Sequence, residues 1–359
     1  MPTVIEGGRV PACWAEHNSP RTQAQGSAKE AECVRIAFIN NMPDSALEDT
    51  EMQFFDLLDA ASGDISVRVE LYSLPGVPRG ARGQQHLKSF YASTDHLWDS
   101  HFDCVIMTGT EPRQPNLKDE PYWSSLTKVL DWAEQNTVST ILSCLAAHAS
   151  VLYSDGIARH PLPDKQFGVF EYKRVWDHAL TNGASASVQF PHSRWNEVQE
   201  EALTSCGYIV LTKSEQAGVD SFVKKKKKSL FVHLQGHPEY RAETLLKEYK
   251  RDIRRFLRGE RETYPSMPQG YFDVAAADAL GKFRQNAIHS RQEERMVDFP
   301  GQLVAAGLKN TWRASATCLY HNWLQYVLSR KAESPELPPL VRSGDQRDEQ
   351  QRKGLTSVI

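Results

Sequence analysis

Short, nearly unbroken apolar runs alternate with amphipathic stretches through the first half of the chain. "VRIAFIN" (Val34 to Asn40), "FDCVIMTGT" (Phe102 to Thr110) and "STILSC" (Ser139 to Cys144) are such runs. Runs of this kind mark strands covered on both faces. "ISVRVELYSL" alternates instead and reads as a further strand. Between them lie helical patterns. Asp44 or Ser45 is placed to cap a helix running to about Ala61, with Met52, Phe55, Leu57 and Leu58 at helical spacing. A second helix is predicted around Gln84 to Tyr91, and "YWSSLTKVLDWAEQN" is amphipathic. Strands alternating with helices predict an α/β fold, a mostly parallel sheet flanked by helices. Chemistry in such sheets sits at the carboxyl ends of the strands.

From Gly168 the pattern changes to short strands, "GVFEYKRV", "GYIVLTKSE", "GVDSFV" and "SLFVHLQG". They predict an antiparallel extension that returns to the sheet. The run Lys224 to Lys228 falls between two of them and reads as a solvated hairpin tip or a charged edge. "RAETLLKEYKRDIRRFLRG" is a helix closed by Gly259, residues 272 to 310 are polar and helical, and "LYHNWLQYVLSR" is a last amphipathic helix. The divisions that follow are a polar N-terminal arm (1–33), a core domain (34–265) and a helical C-terminal extension packing on that domain (266–330). The tail, 331–359, has the composition of disorder.

Composition narrows the function little. Of 359 residues, 42 are basic and 45 acidic, a net charge of −3 that makes no case for nucleic acid or an anionic membrane as partner. No apolar run approaches the roughly 20 residues of a membrane span. The first residues lack a basic start followed by an apolar stretch, so no export signal is expected. Cys13, Cys33, Cys104, Cys144, Cys206 and Cys318 are scattered without a CxxC pair, which favours buried thiols in a reducing cytoplasm. No residue cluster has metal-ligand spacing.

Cys144 stands at a corner. An apolar run ends at Ser143, and Leu145-Ala146-Ala147-His148-Ala149 starts a helix. Amides at a helix start stabilise a thiolate and can hold an oxyanion. Such a thiol still needs a base. In "FVHLQGHPEYRAETL" a strand ends at Gly236, so His237 lies at the mouth of the sheet, with Glu239 two residues on to orient its ring. His148, one turn past Cys144, and His233, within a strand, are weaker candidates.

With "GHPEY" after a strand and a strand–Cys–helix upstream, the chain resembles class I glutamine amidotransferase-like folds. It resembles the homoserine O-acyltransferase (homoserine O-succinyltransferase) family more closely. "INNMPDSALEDTEMQFFDLL", "FDCVIMTGTEP", "STILSC", "PLPDKQFGVFEY", "PHSRWNEV", "SEQAGV", "GHPEYRAETLLKEYKRD" and a late "HNWLQYV" carry that resemblance in order. It implies ping-pong transfer of an acyl group from a coenzyme A thioester, succinyl-CoA or acetyl-CoA, to the hydroxyl of homoserine. Cys144 would take the acyl group, His237 would be the base and Glu239 would orient it. Lys165, Ser193 and Arg251 match the family's substrate-binding positions. The resemblance also implies a homodimer, small-molecule substrates, no bound cofactor and a role in methionine biosynthesis.

The chain departs from the family pattern in places. Leu145 stands where the family often has Trp. An ungapped match puts Arg113 of "TGTEPRQPNL" where the family has a small or acidic residue linked to acyl choice, a small one going with succinyl. Thr110, Glu111, Arg113 and Leu145 are therefore candidates for the oxyanion and acyl pocket, and Arg113 either meets an anionic donor or points to solvent. Residues 272 to 310 look like an insertion. These departures leave serine or another hydroxy amino acid open as acceptor. A cysteine hydrolase or amidotransferase on the same scaffold is the alternative chemistry. It is disfavoured because no glycine flanks Cys144. A binding protein that merely kept the fold would be expected to have lost the thiol or the base, and both are present.

Overall fold

The computed structural model describes residues 3–5 and 33–333. Among them are the strands β1 Thr3–Ile5, β2 Cys33–Ile39, β3 Ser66–Tyr72, β4 Cys104–Met107 and β5 Ser139–Ser143. They continue with β6 His160–Arg174, β7 Ser187–Glu197, β8 Ile209–Ser214, β9 Gly218–Lys226 and β10 Ser229–Leu234. All ten join one sheet in the order β1-β3-β2-β4-β5-β10-β9-β8-β6-β7. From β1 to β10 in that order every pairing is parallel. From β10 onward every pairing is antiparallel. The protein is an α/β fold with an antiparallel extension.

The helices are α1 Leu47–Ser62, α2 Ala81–Phe90, α3 Thr94–Asp99, α4 Trp123–Asn136 and α5 Leu145–Asp155. After them come α6 Glu200–Ser205, α7 Thr244–Leu257, α8 Val274–His289, α9 Gly301–Ala306 and α10 Arg313–Glu333. Strand alternation divides the apolar side chains between two cores. Val34, Ile36 and Phe38 of β2 and Ile141 of β5 face α1, α7 and α10. Ala37, Ile39 and Leu142 face α4 and α5. With both faces covered, β4 and β5 are buried at every position. Each fully buried Phe or Leu contributes about 1.5–3 kcal/mol, so this double core is the rigid base for what its strand ends carry.

The segment after α7 packs on the same sheet. Ala316, Tyr320, Trp323, Leu324 and Val327 form the buried stripe of α10. Trp323 Nε1 donates to Ser139 Oγ (2.9 Å) and Arg313 to the Asp56 carbonyl (2.6 Å).

Four features differ from the sequence reading. Thr3–Ile5, within the arm where no regular structure is expected, pairs in parallel with β3 at the sheet edge. Three residues are too few to show a period. Strand β7 carries Pro191 and reads as a loop, yet it pairs along β6. It is the outermost strand, where proline is tolerated. Neither Asp44 nor Ser45 caps α1, whose N-cap is Ala46 with no side-chain bond. Asp44 instead accepts the Gly80 and Gly83 amides (2.8 and 3.3 Å) at the start of α2. The lysine run is no sheet edge, since β9 lies between β10 and β8. Lys224–Lys226 lie in β9 and Lys227 turns the hairpin at φ +44°. Lys224 pairs with Asp155 (2.7 Å) and Lys227 with Glu134, which ties the tip to α5 and α4. The rest of the arm, residues 6–32, and the tail from 334 lie outside the described residues.

Candidate active site

Cys144 sits between the last residue of β5 and the first of α5, at φ +51° and ψ −112°. A side chain in that region costs about 1–3 kcal/mol and persists only where its surroundings fix it. They do so here. The Cys144 amide donates to the Leu234 carbonyl (2.7 Å) at the end of β10, and the Cys144 carbonyl accepts the Ala147 and His148 amides. A Cβ on Gly109 would sit 2.9 Å from the Leu145 nitrogen and 2.8 Å from its Cβ. The glycine that lets the corner close therefore comes from the end of β4 and not from beside the cysteine. The turn presents a half-buried thiol next to the first-turn amide of Leu145, a position with no intrahelical acceptor.

His237 lies three residues beyond β10, held by its amide on the Pro191 carbonyl (2.8 Å). Its Nδ1 meets Glu239 Oε1 at 2.7 Å, which leaves Nε2 unengaged at the strand end next to that of Cys144. The Tyr240 ring stacks on the imidazole at 4.3 Å between centroids. Burial pushes the imidazole pKa down, but Glu239 and Cys144 together outweigh it and hold the pKa well above the usual histidine value. Glu239 is 3 % exposed, and its second oxygen has no hydrogen-bond partner.

Behind the histidine loop, Asp220 Oδ1 accepts the Gly236 amide (3.0 Å) and lies 3.3 Å from His192 Nε2. Arg194 Nε donates to His192 Nδ1 (3.2 Å), and the Tyr172 hydroxyl is 2.7 Å from Nε2. Burial pushes His192 down to about 4, so it is neutral at pH 7 and structural in this network. A Cβ on Gly236 would meet His192 Nε2 at 2.6 Å, so only glycine lets the histidine loop lie against it.

Lys165, Ser193 and Arg251 converge on two carboxylates of α7 that the sequence reading did not nominate. Lys165 Nζ is 3.0 Å from Asp252 and 3.4 Å from Glu248. Arg251 is 3.0 Å from Asp252 and 3.6 Å from Glu248. Ser193 donates to Glu248 Oε2, and the Tyr240 hydroxyl to its Oε1 (2.6 Å). Burial raises the Glu248 pKa, but Lys165 and Arg251 together bring it below the usual glutamate value. Through Tyr240 this cluster touches the face of His237. Glu248 and Asp252 are four apart on one helix, a spacing that reads as a solvated face until Lys165 packs onto it.

The four pocket candidates separate. Leu145 is buried against Gly109 at the corner and Thr110 is half-buried, whereas Glu111 and Arg113 are exposed. Glu111 pairs with Arg255 (3.4 Å), and only the backbone amide of Arg113 is engaged, on Glu120. The weaker histidines stay apart from the thiol. His148 is bonded to Gln235 (2.8 Å) and His233 stacks on Phe222, and burial pushes both down to about 3. Among the described residues no group of three or more His, Cys, Asp or Glu could hold a metal ion, and no helix is long and apolar enough to cross a membrane.

The sheet makes this an α/β protein with a cysteine at one strand–helix corner and a His–Glu pair just beyond the next strand end. Comparison with known proteins makes the assignment specific. The homoserine O-succinyltransferase family matches residues 14–334, and the chain belongs to that family of acyltransferases. The homoserine O-succinyltransferase of Methylorubrum extorquens is 44% identical over 83% of this chain and 88% of its own. That of Rhodopseudomonas palustris is 44% identical over 82% and 88%. A solved glutamine amidotransferase from Thermotoga maritima aligns over 82% of this chain and 98% of its own, at 13% identity and a TM-score of 0.43.

Proposed function

We propose that the chain moves a succinyl group from coenzyme A to the hydroxyl of L-homoserine by way of a thioester on Cys144, a step of methionine biosynthesis. The observation that carries the reading is Cys144 at the β5–α5 corner, bonded by its amide to the end of β10, with a buried imidazole just beyond that strand end whose Nδ1 is fixed by Glu239. His237 takes the thiol proton, and the thiolate adds to the acyl carbonyl. The Leu145 amide faces the developing oxyanion. The tetrahedral adduct collapses, the bond to the coenzyme A sulfur breaks, and the proton on His237 leaves with that thiol. Exchange of one thioester for another is nearly isoenergetic, so capture needs no other energy source. His237 then takes the proton of the acceptor hydroxyl, the oxygen attacks the thioester, and the Cys144 thiolate is released.

The acceptor is an amino acid, and the Lys165–Glu248–Asp252–Arg251 cluster has the charges to receive one. Its carboxylates suit an ammonium group, and Arg251, 45% exposed, offers a fork to a carboxylate. In this reading the enzyme is cytoplasmic and homodimeric and works without a bound cofactor.

Intact-mass measurement after mixing with succinyl-CoA tests the mechanism. One succinyl adduct is expected, located on Cys144, discharged by homoserine and absent from Cys144→Ala. Discharge at the same rate without homoserine would mean hydrolysis, and acylation of the alanine variant would end the mechanism.

A further inference from the structure

An imidazole that passes a proton to and fro must hold its free nitrogen still, and one hydrogen bond does not do that. The His237 amide sits on the Pro191 carbonyl, and Glu239 meets Nδ1 at 2.7 Å. The bond at Nδ1 holds one corner of the ring and leaves it free to tilt about that corner. Glu239 does not remove this freedom, since its second oxygen is buried without a partner of its own. The restraint on the plane comes from the face. The Tyr240 ring lies 4.3 Å from the imidazole between centroids, with the two planes only 16° apart.

Tyr240 is itself held at three points by three parts of the chain. Its amide donates to the His237 carbonyl (3.1 Å), which closes a tight turn around the histidine. Its hydroxyl donates to Glu248 Oε1 on α7 (2.6 Å). Its carbonyl accepts Trp312 Nε1 (2.8 Å) and Asn310 Nδ2 (3.3 Å) from the segment that leads into α10. Trp312 is fully buried, and Tyr240 is buried as well. With the backbone and the far end of the side chain both fixed, neither χ angle of Tyr240 is free to change. Burial and the Glu248 carboxylate hold its phenol well above the usual tyrosine value, so the hydroxyl stays a donor to Glu248. A side chain that merely filled space would need neither a near-parallel stack nor polar anchors at both ends.

We propose that Tyr240 is a positioning residue for His237: its ring sets the plane of the imidazole, and Trp312 holds Tyr240 in place. The inference rests on the reading that His237 is the base. It makes the segment before α10, 72 residues along the chain from Tyr240, part of what the active centre depends on.

Steady-state release of the coenzyme A thiol from succinyl-CoA in the presence of homoserine tests it. Tyr240→Leu, which fills the space without a flat face, is expected to lower kcat on the order of 10²-fold and to leave both KM values within about threefold. Tyr240→Phe keeps the ring and loses only the hydroxyl, so it should restore kcat to within about threefold of wild type. Trp312→Phe keeps an aromatic side chain in the core but removes the donor to the Tyr240 carbonyl, and an intermediate fall in kcat of about tenfold is expected. Equal losses in the phenylalanine and leucine variants at Tyr240 would assign the effect to the hydroxyl, and a loss confined to KM would assign it to substrate binding. Either result overturns the proposal, as does wild-type kcat in a folded Tyr240→Leu. If the leucine variant does not fold, Trp312→Phe decides, and wild-type kcat there overturns the proposal. Undiminished transfer by His237→Gln would instead remove the reading of the base on which the inference stands.

Discussion

The two halves of the sheet bury different kinds of side chain. In the parallel half, β4 and β5 are buried throughout and bury no charged group. Their ends, with that of β10, place Gly109, Cys144 and the His237 loop side by side. The antiparallel half buries Tyr172, His192, Arg194 and Asp220 in one hydrogen-bonded chain. That chain ends on the Gly236 amide, directly behind the histidine. The apolar half thus presents the candidate thiol, and the polar half fixes the loop that carries His237. A buried polar chain of this sort rigidifies only while every member is paired.

The comparison breaks most severely at Glu239. Glu239→Gln keeps a group at His237 Nδ1 but removes the charge. We expect kcat/KM to fall by about 10²–10³-fold. The pH dependence of stability reads the same change. Folding raises the His237 pKa, so the contribution is whole below about pH 6.5 and is lost as pH rises through the raised folded value. The difference in urea midpoint between wild type and Glu239→Gln should therefore be largest at pH 6 and shrink toward alkaline pH. A difference that grows with pH would reverse the assignment of the pair.

A smaller effect is expected where the halves meet. In Gly236→Ala the new methyl would lie 2.6 Å from His192 Nε2 and 2.7 Å from Asp220 Oδ1, both packed groups. Overpacking of this kind costs about 1–3 kcal/mol. Displacing the base by a fraction of an ångström should lower kcat/KM up to about 10²-fold while Cys144 remains open to alkylation. Full activity in a variant that folds would show that the polar half does not position His237.

What was legible in the sequence follows the same division. Parallel strands covered on both faces write themselves as apolar runs, so "CVIM" and "TILS" mark β4 and β5, and the corner after them picks out Cys144. His237 and Glu239 are adjacent in sequence to a strand end, and a local signal suffices. The polar half gives no such signal. "PHSRW" in β7 reads as a loop because Pro191 and the charges break the period, although an outer strand tolerates both. Glu248, Asp252 and Lys165 become a cluster only when α7 packs against β6.

The smallest effect tests whether the outer parallel half is independent of the chemistry. Asp44 lies two residues before the N-cap of α1, yet its carboxylate accepts amides at the start of α2 and stands 3.6 Å from Arg79. The fit is close enough that a Cβ on Gly83 would lie 2.0 Å from Asp44 Oδ1. An acidic group there satisfies donors that have no intrahelical acceptor and also meets the positive end of the helix dipole. Asp44→Ala should lower stability by about 1 kcal/mol and leave kcat/KM unchanged. Ser45→Ala, at an exposed position without a cap bond, should stay within about 0.5 kcal/mol of wild type. Denaturant midpoints of the two variants decide between a remote cap and a local one. Equal losses would return the cap to α1, and a loss of activity in Asp44→Ala would show that the edge of the parallel half reaches the thiol after all.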